Sequence, residues 1–180
     1  MSYTLELIFV YNPDSINKFN ANFTTSDREL YGKFENNLVS KFVSSGSFIG
    51  EPIISRTEYI NDNKDTIIIK RVGKFKKLDD VENFYIQRQT DPDPIRVKSS
   101  TVAMSCNVFG EFNILDDDEN VLNVLASCQQ GICNRRADKR CTIHTDNPGC
   151  YDPNEFDPRK VSGPTVHHVL LSSIKRINRI

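Results

Sequence analysis

The densest set of side chains able to do chemistry is Cys128-x4-Cys133-x7-Cys141-x2-His144-x5-Cys150. Thiolate sulfur and imidazole nitrogen are the ligands zinc prefers, and a short loop carrying four of them can close a tetrahedral structural site. The surrounding segment is too poor in apolar residues to order itself by burial, so a zinc staple would explain its order. Two other readings stay open. The cysteines pair as disulfides, which suits oxidising surroundings, or they remain plain thiols. There is no Cys-x2-Cys knuckle, so spacing alone does not choose among the three. Cys106 stands apart in an apolar stretch and is expected to be a small buried hydrophobe.

Arg135, Arg136, Lys139 and Arg140 fall between the second and third of these cysteines. Guanidinium groups pair bidentately with phosphate, so a metal-braced basic loop is one way to hold nucleic acid. The plainer reading is a solvated loop that balances local acids. A formal net charge of −1 weighs against bulk attraction to nucleic acid or to an anionic membrane. Ile8-Phe9-Val10-Tyr11-Asn12 resembles the first short motif of RNA-recognition domains, in which a strand aromatic stacks on a base. The basic, aromatic second motif is missing, and Ile67, Ile68 and Ile69 stand where it should be. The stretch is therefore read as a core strand. His167 and His168 are adjacent and diverge on either a helix or a strand, so they do not form one site by themselves. Asp116-Asp117-Asp118-Glu119 lacks the spacing of an EF-hand loop and is read as a solvated run ahead of a helix. No Gly-rich phosphate loop, nucleophile elbow or His-Glu-x-x-His occurs. Cys141 with His144 is the nearest approach to a thiol beside a base.

The elements that must position these groups follow from periodicity. Tyr3 to Tyr11 alternates apolar side chains on both faces, as a covered central strand does. Asn12-Pro13-Asp14 reads as a turn. Ser26 with Glu29 forms a capping box ahead of a helix over residues 27–44, with Leu30, Phe34, Leu38 and Phe42 inward and Phe19 and Phe23 tucked beneath. Ile53 to Phe75 reads as a hairpin around residues 61–65, with Ile54, Arg56, Glu58 and Ile60 on one face and Ile53, Ser55, Thr57 and Tyr59 on the other. The charged residues on its two strands suggest a face that meets solvent or a partner. A second helix follows over residues 77–89, buried through Leu78, Val81, Phe84 and Tyr85, and Asp91-Pro92-Asp93-Pro94 breaks it. Ser99 to Phe112 alternates as a further strand, with Val102, Met104, Cys106 and Val108 inward. Strand, helix, strand, strand, helix, strand is the split β-α-β order of an α+β, ferredoxin-like antiparallel sheet.

These readings divide the chain into an α+β body over residues 1–115, an acidic and Cys-bearing region with a linker over 116–164, and a C-terminal docking arm over 165–180. A short helix is expected around Val121, Leu122 and Leu125. The arm carries Val166, Val169, Leu170, Ile174 and Ile177 with Arg176 and Arg179, and is expected to hold a protein partner or a second copy. MSYTLELIFVYN lacks a basic start and a spanning apolar run, so no membrane segment is expected. A cytoplasmic place, or a virion if the source is viral, fits best. Function is then ranked. A non-enzymatic assembly or adaptor protein leads. A small enzyme with a cleft between sheet and helices follows, using Tyr59, Arg71, Tyr85 and Cys106. A metal-braced nucleic-acid binder comes third.

Overall fold

The computed structural model describes residues 1–11, 13–60, 64–106, 109–129 and 132–135. The chain runs β1 (Tyr3–Tyr11), α1 (Pro13–Asn22), α2 (Thr25–Ser44), β2 (Phe48–Ile60), β3 (Thr66–Phe75), α3 (Leu78–Thr90), α4 (Pro94–Ser105), β4 (Phe109–Leu115), β5 (Val121–Gln129) and β6 (Ile132–Arg135). It is an α+β fold, with one antiparallel sheet in the order β2-β3-β1-β4-β5-β6. Because β1 and β2 both lie antiparallel to β3, they run parallel to each other with β3 between them.

Alternation sorts the strand side chains onto two faces. Leu5 and Leu7 of β1, Val72 and Phe75 of β3, and Phe112 and Ile114 of β4 pack with Leu38, Val39 and Phe42 of α2 and Val81, Phe84 and Tyr85 of α3. Rings organise this core: Phe42, Phe75 and Phe84 meet edge to face with centroids 5.2–6.4 Å apart. A second cluster on the same face joins Tyr11 of β1, Phe19 of α1, Phe23 of the turn after it, Phe34 of α2, Ile95 and Val102 of α4, and Cys106 just past α4. The opposite face buries Ile8, Val10, Ile67 and Ile69 in a cluster that contains no helical residue. Beside them runs a polar row. Glu6 and Asn113 are buried, Arg71 donates to Glu6 Oε2 at 3.1 Å, and Asn113 Nδ2 donates to Glu6 and Glu111 at 3.4 and 3.3 Å.

Several expectations need correction. Residues 94–105 form helix α4, where a strand beginning at Ser99 was expected, and the strand itself starts at Phe109. Asp93 explains the helix start: its Oδ1 accepts from Ile95 N–H at 3.0 Å, and Pro94 occupies the first helical position, where its missing N–H costs nothing. Pro13 likewise opens helix α1 where a turn alone was expected. The capping box of α2 lies two residues earlier than expected. Thr24 N–H donates to Asp27 Oδ2 at 2.9 Å, and Asp27 N–H donates back to Thr24 Oγ1. A Lys98 hydrogen bond and the Thr24 N–H hold the Asp27 carboxyl below the usual carboxylate range. Leu30 and Leu78 face solvent, so Tyr31 takes the place of Leu30 in the inward stripe. The short helix expected around Val121 is strand β5, which pairs with β4 and extends the sheet past residue 115. Four strands were expected; among the described residues the sheet has six.

Candidate functional site

Between the helix-facing side of β1–β3 and helices α1, α2, α3 and α4 lies a cavity of about 550 Å³. Its walls are rings. Phe9 and Tyr11 rise from β1, Phe19 from α1, Phe23 from the turn after it, and Tyr31 from α2. Successive contacts link Tyr11 to Phe19, Phe19 to Phe23 and Phe23 to Tyr31, with centroids 5.3–6.4 Å apart. Gly32 opens the α2 wall, and a Cβ added there meets nothing within 4 Å.

The charges in this cavity come from five elements, α2, β2, β3, α3 and α4. Glu35 of α2 is buried and joins two cations: its Oε1 contacts Lys70 Nζ of β3, and its Oε2 accepts from Arg88 Nε of α3 at 3.3 Å. Arg88 also donates to Gln89 Oε1 at 3.0 Å and stands 5.6 Å over the Tyr31 ring. Arg28 lies 5.7 Å over Phe19, and buried Arg96 donates to the Asp91 carbonyl at 2.6 Å. The described lining residues include five cations, Arg28, Arg56, Lys70, Arg88 and Arg96, and two carboxylates, Glu35 and Glu58. Burial, then the neighbouring Arg88, pull the Lys70 ammonium down to about 7, while the touching Glu35 carboxylate works the other way. Burial pushes the Tyr11 hydroxyl well above its ordinary value. An anion entering this cavity would find positive charge in excess and flat apolar walls, a combination suited to a ring-bearing carboxylate, sulfonate or phosphate.

None of the residues first singled out for a cleft lines it. Tyr85 packs in the main core and Cys106 in the second cluster, while Tyr59 and Arg71 belong to the opposite face. Phe9 and Tyr11, the residues of the RNA-motif likeness, point under the helices. Of the cysteine set, the backbones of Cys128 and Cys133 lie directly opposite each other in the β5–β6 pairing. Cys141, His144 and Cys150 lie outside the described residues, as do Arg136, Lys139 and Arg140. Arg135 ends β6. The arm residues Val166, Val169, Leu170, Ile174, Arg176, Ile177 and Arg179 are also outside them. The Glu35–Lys70–Arg88 cluster was missed, although a signal existed. Lys70 interrupts an apolar period-two stripe between Ile68 and Val72, and Arg88 sits one turn past Val81, Phe84 and Tyr85 on the inward side of α3. A charge on a buried stripe marks a polar site inside the fold.

Fold and site together define an α+β domain with a ring-walled, cationic cavity beneath its helices. No family model, curated protein or solved structure matches the chain. Among the described residues no helix is long and apolar enough to cross a membrane.

Proposed function

We propose that this chain binds a small organic anion carrying a flat ring in the cavity between its sheet and its helices. The observation that carries the reading is the set of five cationic side chains against two carboxylates on walls built of aromatic rings. A volume of about 550 Å³ suits a drug-sized molecule. Lys70, Arg28 and Arg56 would attract the anionic group, and Tyr31, Phe19 and Phe9 would hold the ring. We read β1–β4 and the helices on their one covered face as a ferredoxin-like split β-α-β unit, enlarged by a second helix in each crossover and by β5–β6.

The test uses anilinonaphthalene sulfonate, a flat ring system bearing one anion, as the probe. Gly32→Leu should plug the cavity without backbone strain, because Gly32 is helical and has open space beside it. Replacing a helical glycine also favours the helix by several tenths of a kcal/mol. Expected are saturable binding to the wild type, weaker binding as pH rises through about 7 and Lys70 loses its charge, and loss of binding in Gly32→Leu. Equal binding by that variant would overturn the reading.

A protein assembly role is the second reading. Strand β2 favours it: among the described residues it is an edge strand, with Ile49, Ile53, Ile54 and Ile60 exposed.

A further inference from the structure

Strand β2 ends the sheet, so one side of its backbone has no strand beside it among the described residues. A long edge of this kind is a template for strand addition. Only its second half is regular enough to serve. Gly50 takes a positive φ of +65°, Pro52 lacks an N–H, and the register with β3 shifts between Phe48 and Ile53. From Ile53 to Ile60 the pairing with β3 is uninterrupted.

Along that half, Ile54, Arg56, Glu58 and Ile60 share one face. Their order is self-complementary. If a second copy of the strand lies antiparallel with Thr57 opposite Thr57, then Ile54 meets Ile60, Arg56 meets Glu58, Glu58 meets Arg56, and Ile60 meets Ile54. Every apolar residue faces an apolar one and every charge faces its opposite. Within one chain the two charges serve each other poorly, since Arg56 and Glu58 approach only to 4.0 Å and their side chains are 51% and 57% exposed. Ile60 and Ile54 are 72% and 44% exposed, and this register covers each with the other.

We propose that two copies of this chain associate through β2, antiparallel about Thr57, so that their sheets become continuous. This rests on the assembly reading above and not on the cavity. The contact is isologous, and each residue pair occurs twice. Seven residues per strand, Ile54 to Ile60, bury less than the roughly 1,000 Å² of a stable interface, so the dimer is weak and depends on concentration. Arg56 and Glu58 also line the cavity. The second copy therefore brings its own Glu58 and Arg56 to the cavity's outer rim.

The test is sedimentation across a wide concentration range. Wild type should show a concentration-dependent dimer. Arg56→Glu alone, or Glu58→Arg alone, places like charges opposite one another twice and should weaken the dimer about tenfold. Both substitutions in one chain restore the pattern and should restore the dimer. The sharpest outcome concerns mixing: the two single variants, each impaired alone, should pair with each other. These side chains are exposed, so thermal melts should show both variants folded. A dimer indifferent to either single substitution would overturn the register while leaving an assembly role by another surface. A wild type that stays monomeric throughout would overturn both.

Discussion

Replacing Glu35 by Gln removes, at nearly constant volume, the carboxylate that touches both Lys70 and Arg88. Glu35 and Arg88 are both buried, and Lys70 is mostly covered. Two cations would then share a covered site without their shared counter-charge, the situation that typically costs about 3–5 kcal/mol. That is a large part of the roughly 5–15 kcal/mol that holds an ordinary domain together. The loss depends on pH. Lys70 releases its proton near 7 in the folded protein but near 10.5 in the unfolded chain. At about pH 8.5 it is mostly neutral, and only Arg88 is left uncompensated. At about pH 6 the wild type gains from the Lys70–Glu35 attraction and the variant does not. At about 1.4 kcal/mol per pH unit, Glu35→Gln should cost some 1–2 kcal/mol more at the lower pH. Urea unfolding followed by circular dichroism at the two pH values measures this directly. A cost below about 1 kcal/mol at pH 6, or an equal cost at both pH values, would refute the cluster as drawn.

Two further outcomes are expected. Between the folded value of about 7 and the unfolded 10.5, the unfolded chain binds more protons at Lys70, so wild-type stability rises with pH across that window; Lys70→Met should flatten this rise in urea melts at about pH 7 and 8.5. Phe84→Ala should cost about 3–5 kcal/mol, because Phe84 is fully buried between Phe42 and Phe75, and a loss under 1 kcal/mol would misplace the main core.

Much of this was legible before any coordinates. Strand β1, the β2–β3 pairing and helices α2 and α3 were read from periodicity, because long segments repeat their apolar spacing many times. The errors share causes. Pro13 and Pro94 were taken as breakers, yet each opens a helix, since a proline tolerates the first helical position as readily as a turn. Val102, Met104 and Cys106 recur at every second position, as in a strand, but α4 gains by packing Ile95 and Val102 against Phe19 and Phe34. Val121, Leu122 and Leu125 are too few to separate helix from strand. The cavity was hidden for a different reason. It is assembled from residues between 9 and 103 across β1, β2, β3 and four helices, and no local spacing records that convergence.

The polar row on the sheet's second face indexes the three strands it crosses. Side chains on a strand repeat every two residues, so a slip by two keeps every isoleucine on its own face, and hydrophobicity alone barely penalises it. Arg71 is opposite Glu6, and Asn113 is opposite Glu6 from the other side. A two-residue slip of β3 would set Arg71 against Ile8 or Thr4 and leave Glu6 buried without its cation, at a cost of about 3–5 kcal/mol. β4 is keyed in the same way, because displacing Asn113 from Glu6 breaks its amide hydrogen bond. One carboxylate thus serves as the notch into which two neighbouring strands lock, and the uniformly greasy ladder of Ile8, Val10, Ile67 and Ile69 acquires a single permitted alignment.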